Sequence, residues 1–321
     1  MNHSLPIRKI DISFLPGPYS NFFTTRRVHL YAIMGFDDRP DPDLNDPSGN
    51  IKRIAAEGIV KGRRSREGFT GITHAVDSTS GNFGPALAAE LARNPDTAHI
   101  KTICVVSKTL PQGKLARLTA CGAEIVPAEN QLAAMDVAES YQFRPGYWYT
   151  SQYDNPDNPA AFLPYGENLA AELPNLGVFS AGIGTGGTFI GFVEGFRSRR
   201  DTPAWQLHAI AATVAKGHSI SGIRTLEALQ RVKNPWQASA NRIERVDLPT
   251  ALEASRALQA AGIPGGPSSG AALAALYQGL RSRSTAELKV MQNGNDNIVA
   301  AFICADRWEV YRDLYLYEPQ K

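Results

Sequence analysis

Apolar and polar positions alternate in short blocks along the 321-residue chain. Apolar runs with β-branched content predict strands over 72–76, 102–106, 125–126, 147–150, 177–181, 206–212 and 298–304. Between them, runs with helical spacing predict helices over 82–93, 112–120, 132–141, 160–172, 189–197, 249–261 and 268–282. Strand and helix in alternation mean parallel sheets covered by helices on both faces. A stretch rich in Asn, Asp and Pro over 151–159 reads as a boundary. Residues 37–50, with Pro40, Pro42 and Pro47, form a second turn-rich segment. The polar segment 229–245 predicts no definite element. No internal repeat of solenoid length is present.

Composition narrows the classes. The length suits two domains or one large α/β domain. With 43% hydrophobic and 20% charged residues the chain is ordinary globular protein. A formal net charge of +2 gives no general attraction to nucleic acid. The basic runs Lys61-Gly62-Arg63-Arg64-Ser65-Arg66 and Arg197-Ser198-Arg199-Arg200 lack interleaved aromatics and read as solvated helix ends or loops. No apolar run has membrane-spanning length, and the N-terminus lacks the apolar core of a signal peptide. Three widely spaced cysteines, Cys104, Cys121 and Cys304, argue against a disulfide framework or a zinc site. Cys104 and Cys304 fall in strand-like runs and are expected as buried thiols. A reducing cytoplasm fits this pattern.

The run Gly182-Ile183-Gly184-Thr185-Gly186-Gly187-Thr188 separates a predicted strand from a predicted helix. Glycines let N–H groups converge, and a helix N-terminus adds partial positive charge. Both favour a phosphate. Gly182, Gly184 and Gly187 match G-x-G-x-x-G, which alone suggests a dinucleotide. The following strand, however, ends without the acidic residue that grips a ribose. A Walker loop would need a lysine before Thr188, where Gly187 stands. Three further segments have the same loop-to-helix character: Asp46-Pro47-Ser48-Gly49-Asn50-Ile51-Lys52-Arg53, Ser78-Thr79-Ser80-Gly81-Asn82-Phe83-Gly84 and Gly265-Gly266-Pro267-Ser268-Ser269-Gly270-Ala271-Ala272. In α/β proteins, strand ends facing helix starts are where ligands bind.

These four segments, in this order, resemble the motif set of the fold-type II pyridoxal-phosphate enzymes, the tryptophan synthase β family. Within it they are most similar to cysteine synthases and cystathionine β-synthases. Gln152-Tyr153-Asp154-Asn155-Pro156 with Asn158-Pro159, and His218-Ser219-Ile220-Ser221-Gly222-Ile223, extend the likeness, which covers about residues 40 to 311. The resemblance implies an α/β fold of two parallel-sheet domains with the cofactor in the cleft between them. Residues 46–158 would form the smaller, mobile domain carrying the Asn loop. Residues 1–45 with 159–321 would form the larger one carrying the phosphate loop. A homodimer is also implied, with no nucleic-acid or membrane partner.

The resemblance assigns roles residue by residue. Lys52 would hold pyridoxal 5'-phosphate as a Schiff base and move the Cα proton. Gly184, Thr185, Gly186, Gly187 and Thr188 would hold the phosphate. Asn82 would bond the ring hydroxyl; taken alone it reads as a helix N-cap. Ser268 would face the ring nitrogen as a neutral hydroxyl, although alone it too reads as a cap. Thr79, Ser80, Gly81 and Gln152 would bind the substrate carboxylate, and Gly222 would line the pocket. The implied reaction is β-replacement on a serine-derived amino acid through an aminoacrylate, by a cysteine synthase-like enzyme. Alternatives are a serine/threonine dehydratase-like or other β-lyase, a 2,3-diaminopropionate-type synthase, or a binding protein that has lost turnover. An NAD-linked oxidoreductase is the reading outside the family.

The likeness departs in places. Phe83 stands where the Asn loop has threonine, and is expected to narrow the site beside Asn82. Pro267 replaces an aliphatic residue. In the lysine motif Asp46 replaces asparagine, Asn50 replaces serine, and one residue is missing around Arg53. Leu15-Pro16-Gly17-Pro18-Tyr19 stands where the family has a Gly-Asn-Thr-Pro-Leu segment. These changes leave the cofactor residues readable and leave the amino acid and the nucleophile open.

Overall fold

Apolar runs become strands, and the amphipathic runs between them become helices. The computed structural model describes residues 3–36, 49–110, 112–199 and 206–316. Its first half contains β1 (Ile7–Lys9), α1 (Gly17–Thr25), β2 (Val28–Met34), α2 (Lys52–Arg66), β3 (His74–Ser78), α3 (Phe83–Ala92), β4 (Lys101–Ser107), α4 (Gln112–Ala120), β5 (Glu124–Ala128), α5 (Gln131–Ser140) and β6 (Tyr147–Tyr149). Then come α6 (Asp157–Glu172), β7 (Leu176–Gly182), α7 (Gly187–Ser198), β8 (His208–Val214), α8 (Leu226–Leu229), α9 (Trp236–Ser239), β9 (Arg242–Val246), α10 (Leu248–Ala260), α11 (Pro267–Arg281), α12 (Thr285–Met291), β10 (Ile298–Cys304) and α13 (Arg312–Leu316). Asp46, Pro47 and Ser48 of the lysine motif, most of the 37–50 segment, and Arg200 lie outside the described residues.

Every strand and helix expected from the pattern forms, with ends displaced by a few residues. The segment 229–245 is ordered as α9 and the start of β9. The run expected as a boundary over 151–159 enters α6 at Asp157.

The chain folds as two compact units, Met1–Asp38 with Phe162–Lys321, and Arg39–Ala161. The first unit holds a six-stranded sheet in the order β1-β2-β10-β7-β8-β9. Its ladders are parallel apart from one departure from the expected pattern: β1 runs antiparallel to β2, pairing Ile7 with Ile33 and Lys9 with Tyr31. A three-residue edge strand needs no crossover helix, so the parallel rule does not bind it. Strands β7 and β10 are buried along most of their length, as sheets covered on both faces require. Ser180, within β7, donates its hydroxyl to the Ala272 carbonyl at 2.9 Å and ties the sheet to α11.

Helices in this unit approach closely where glycine allows it. A Cβ on Gly270 of α11 would overlap the Ala251 carbonyl oxygen of α10. Cβ atoms on Gly166 (α6) and Gly195 (α7) would overlap the carbonyl oxygens of Phe192 and Leu163 respectively. So α6 and α7 meet backbone to backbone. Phe179, Phe189 and Phe192 are buried beside that contact, the Phe179 ring tilted against Phe189 and stacked on Phe192. Each such side chain contributes roughly 1.5–3 kcal/mol by burial.

The second unit holds a four-stranded parallel sheet in the order β5-β4-β3-β6. Val76, Ile103 and Val105 pack with Ala134 and Ala138 of α5 on one face. Cys104 and Val106 pack with Leu118 of α4 on the other. Helix α2 packs on α3. Cys104 and Cys304 are buried and Cys121 half-buried, and none of the three is in a disulfide. Burial pushes the Cys104 thiol pKa well above its usual value. No helix among the described residues is long and apolar enough to cross a membrane.

Candidate active site

In the larger unit, β7 ends at Gly182 and α7 begins at Gly187. The loop between is bare because its surroundings leave no room. A Cβ on Gly184 would overlap the Gly222 carbonyl oxygen, and one on Gly182 would stand 2.6 Å from Ile223 Cδ1. Gly186 has φ +81°, a left-handed value that glycine adopts at little cost. The first N–H groups of α7 have no acceptor four residues back, the ladder closing with Ile190 N–H to the Gly186 carbonyl at 2.9 Å. Thr185 and Thr188 flank these groups, and the Thr185 hydroxyl oxygen accepts from the Gly187 N–H at 3.4 Å.

Two residues from the polar 229–245 segment brace the loop. The Asn234 side-chain amide donates to the Thr185 carbonyl at 3.0 Å. Trp236 is buried, with its Cβ 3.1 Å from where a Gly186 Cβ would be. Its indole N–H is buried and finds no acceptor among the described residues. Gly222, φ +87°, is half-buried and lies against Gly184 through its carbonyl.

Ser268 is buried in the first turn of α11, after Gly266 and Pro267. Proline suits a helix start, where its missing N–H costs nothing. The Ser268 hydroxyl donates to Asp306 Oδ1 at 3.4 Å, and Tyr311 donates to the other oxygen of the same buried carboxylate. The Gly266 N–H donates to the Asp306 carbonyl at 2.9 Å. The serine expected beside a ring nitrogen thus has a carboxylate behind it.

In the other unit Lys52 is the half-buried first residue of α2. Its N–H donates to Asn50 Oδ1 at 2.8 Å, and Asn50 is buried. The asparagine that departs from the serine of the motif therefore pins the helix start in its place. Asn82 precedes α3 and is half-buried; its side chain bonds no N–H of the helix, so it is not a conventional cap. Thr79 is buried and its hydroxyl accepts from the Gly81 N–H at 3.0 Å, while Ser80 is half-buried. Gly81 has φ +111°, and the aliphatic stem of buried Lys114 lies 2.7 Å from where its Cβ would be. Phe83 is buried in the first turn of α3.

Gln152 is joined to that loop. Its Nε2 donates to the Ser78 carbonyl at 2.8 Å and approaches Asp77 Oδ1 at 3.5 Å, while its N–H donates to Asp77 Oδ2 at 2.9 Å. Thr150 donates its hydroxyl to the same carboxylate oxygen. Burial pushes the Asp77 carboxyl up to about 6 against these hydrogen bonds, which favour its charged form. The structure thus brings Thr79, Ser80, Gly81 and Gln152 into one cluster. Lys52 and Asn82 stand at the starts of two helices that pack together.

A family model described as pyridoxal-phosphate dependent enzyme matches residues 41–293. The chain belongs to this family. Its fold is that of the fold-type II pyridoxal-phosphate enzymes, and pyridoxal phosphate is its cofactor. A cysteine synthase of Staphylococcus aureus strain Mu50 is 32% identical over 250 residues, covering 74% of this chain and 78% of that protein. A cysteine synthase of Helicobacter pylori strain J99 is 32% identical over 166 residues, 48% of this chain. The chain spans about half the length of that relative, 51%. Among solved structures, an O-acetylserine dependent cystathionine β-synthase from Helicobacter pylori superposes with a TM-score of 0.74 at 25% identity, covering 96% of this chain and 94% of that one.

The residues present fit the cofactor of this pyridoxal-phosphate enzyme. The 184–188 loop offers helix-start N–H groups and no side chain beyond two hydroxyls, which is chemistry for a monoanionic or dianionic phosphate. Lys52 carries a primary amine at the start of α2. Sequence reading missed Asp77, Thr150, Asn234 and Asp306. Asp77 carried a faint signal, as an acidic residue within an apolar strand. The other three act through partners distant in the chain.

Proposed function

We propose that the protein is a β-replacement enzyme acting on a serine-derived amino acid, cysteine synthase-like in its chemistry. The observation that carries this reading is the α7 cradle, a glycine loop kept bare by Gly222 and Ile223 at a helix start. The likeness to cysteine synthases from two bacteria supports the reaction class.

Pyridoxal phosphate, when bound, supplies an aldehyde for an amine and a ring that withdraws electron density from Cα. Lys52 holds it covalently through its amine. The Lys52 amine would also hold and move the proton at the substrate Cα. Gly184, Thr185, Gly186, Gly187 and Thr188 hold the phosphate, Asn82 the ring hydroxyl, and Ser268 faces the ring nitrogen. Thr79, Ser80, Gly81 and Gln152 bind the amino-acid carboxylate with neutral donors, and Gly222 lines the substrate side. The buried surroundings of Thr79 and Gln152 exclude water and strengthen those hydrogen bonds. The working form is a cytoplasmic homodimer; three widely spaced cysteines without a disulfide pattern favour that location.

Adding O-acetylserine to the yellow, cofactor-loaded protein is expected to shift its visible band. Sulfide is then expected to restore the band and yield cysteine. A protein that releases pyruvate and ammonia from serine instead is a lyase, and one whose band never responds has lost turnover.

A further inference from the structure

Strands β3 and β6 pair in parallel from His74 with Tyr147 to Val76 with Tyr149, and the last rung is the Thr150 N–H to the Val76 carbonyl at 2.9 Å. On its other side β3 stays paired with β4 through Ser78 and Val105, and Thr79 N–H donates to the Val105 carbonyl at 3.0 Å. The two strands therefore part at their carboxyl ends, where the ladder to β6 stops and the one to β4 continues. Backbone groups at the end of β6 need partners from elsewhere.

Asn155 Nδ2 donates to the Thr150 carbonyl at 3.0 Å, and the Asp77 side chain meets the Gln152 N–H. One carboxylate oxygen accepts from the Thr150 hydroxyl and from the Gln152 N–H at 2.9 Å. The other lies 3.5 Å from Gln152 Nε2, whose stronger bond goes to the Ser78 carbonyl. Between the two tethered residues, Ser151 has φ +55°, a left-handed value that costs a non-glycine residue energy unless its neighbours impose it. Its carbonyl accepts from the N–H groups of Asp154 and Asn155 at 2.9 and 2.8 Å. Asn158 Nδ2 donates to the Gln152 carbonyl at 2.7 Å. Asp77 itself is buried, 2% exposed, and the groups bonded to it are a hydroxyl and amides. A carboxylate kept inside protein by neutral donors carries a large desolvation cost, which its hydrogen bonds to Thr150 and Gln152 offset.

We propose that Asp77 is the positioning residue of the amino-acid site. Its carboxylate holds the Thr150–Gln152 turn, and Gln152 Nε2 in turn holds the Ser78 carbonyl, so that the Thr79–Asn82 loop is set in place to receive the substrate carboxylate. This rests on the reaction proposed above. Asp77 acts through Gln152 and Thr150, the two residues its carboxylate holds.

The test compares wild-type, Asp77→Asn and Thr150→Val proteins, each loaded with pyridoxal phosphate. Asparagine keeps the shape but removes the charge, and its NH2 group faces either Gln152 Nε2 or the two donors held by the other oxygen. Asp77→Asn is expected to raise the O-acetylserine concentration giving half the spectral change by more than tenfold. The resting visible band and the cofactor affinity stay within twofold, and kcat at saturation within threefold. Thr150→Val, which removes one tether, is expected to raise half-saturation about threefold, and serves if Asp77→Asn does not fold. Half-saturation unchanged in both variants, or cofactor binding lost in step with amino-acid binding, overturns the assignment. Amide hydrogen exchange over 147–158 gives a readout free of turnover, and exchange at least fivefold faster in Asp77→Asn is expected. A wild type with no spectral response to any amino acid refutes the proposed reaction. In that case unchanged exchange overturns the role of Asp77 as well, and faster exchange upholds its hold on the turn.

Discussion

Asn234 donates its side-chain amide to the carbonyl oxygen of Thr185 at 3.0 Å, and both are buried. The bond orients the Thr185–Gly186 peptide, so the following N–H groups of the cradle face one way. Asn234→Ala leaves a buried carbonyl without this donor, at a cost of roughly 1–3 kcal/mol. Cofactor affinity measured by equilibrium dialysis is expected to fall about tenfold, with the fold retained by circular dichroism. Unchanged affinity would mean that the loop holds its shape without this brace.

Gly184 cannot become alanine without moving backbone, because the new methyl would overlap the Gly222 carbonyl. Side chains can rotate away from such a clash, but a carbonyl in a turn cannot. The expected cost is about 1–3 kcal/mol in stability, together with a protein that purifies colourless. A thermal melt and a visible spectrum check this. An alanine variant that is yellow and melts like wild type would refute the crowding argument.

Lys52→Ala removes the primary amine assigned to the cofactor aldehyde. The variant is expected to bind pyridoxal phosphate only reversibly, losing it on gel filtration. Borohydride treatment of wild type, followed by peptide mass mapping, is expected to place the label at residue 52. A label on another lysine would reassign the site.

His208 gives a pH signature distant in character from catalysis. Burial pushes its pKa down to about 4, and the neighbouring Arg283 and Arg242 act the same way. Arg283 Nη2 lies 2.8 Å from its Nε2, so the neutral ring serves as acceptor. A histidine with a depressed folded pKa adds stability above its unfolded pKa near 6.5. That stability is lost as the pH falls toward 4. His208 is partly exposed, so the effect is below the ~1.4 kcal/mol per pKa unit of an unscreened group. Denaturant midpoints of wild type are expected to fall between pH 6.5 and 4. His208→Gln, which keeps an acceptor and cannot titrate, is expected to give a shallower curve. Parallel curves would refute this.

The elements legible from sequence are those whose own pattern repeats what the fold requires. Strand β10 is apolar throughout and buried on both faces, so its run announced it. Helix α10 begins where Asp247 accepts from the Thr250 N–H at 2.8 Å, just before a proline, a start that residue type declares. Strand β9, Arg-Ile-Glu-Arg-Val, was not legible: it is an edge strand with only Val246 buried, and its polar residues look like loop. The three-residue β1 was too short to read. The glycine loop could be read because its chemistry is contiguous. Asp77 with Gln152, Asn234 with Thr185, and Asp306 with Ser268 could not. Each pair is separated by dozens of residues and meets only because of strand order or helix packing.

The glycine contacts between α6 and α7 have a consequence for how the cradle works. With main chain against main chain, α7 has no compressible side-chain layer through which to slide or tilt. The N–H groups at its start are aimed before any ligand arrives, so anchoring an anion there demands little rearrangement. Gly166 and Gly195 thus fix a rigid foundation beneath the cradle.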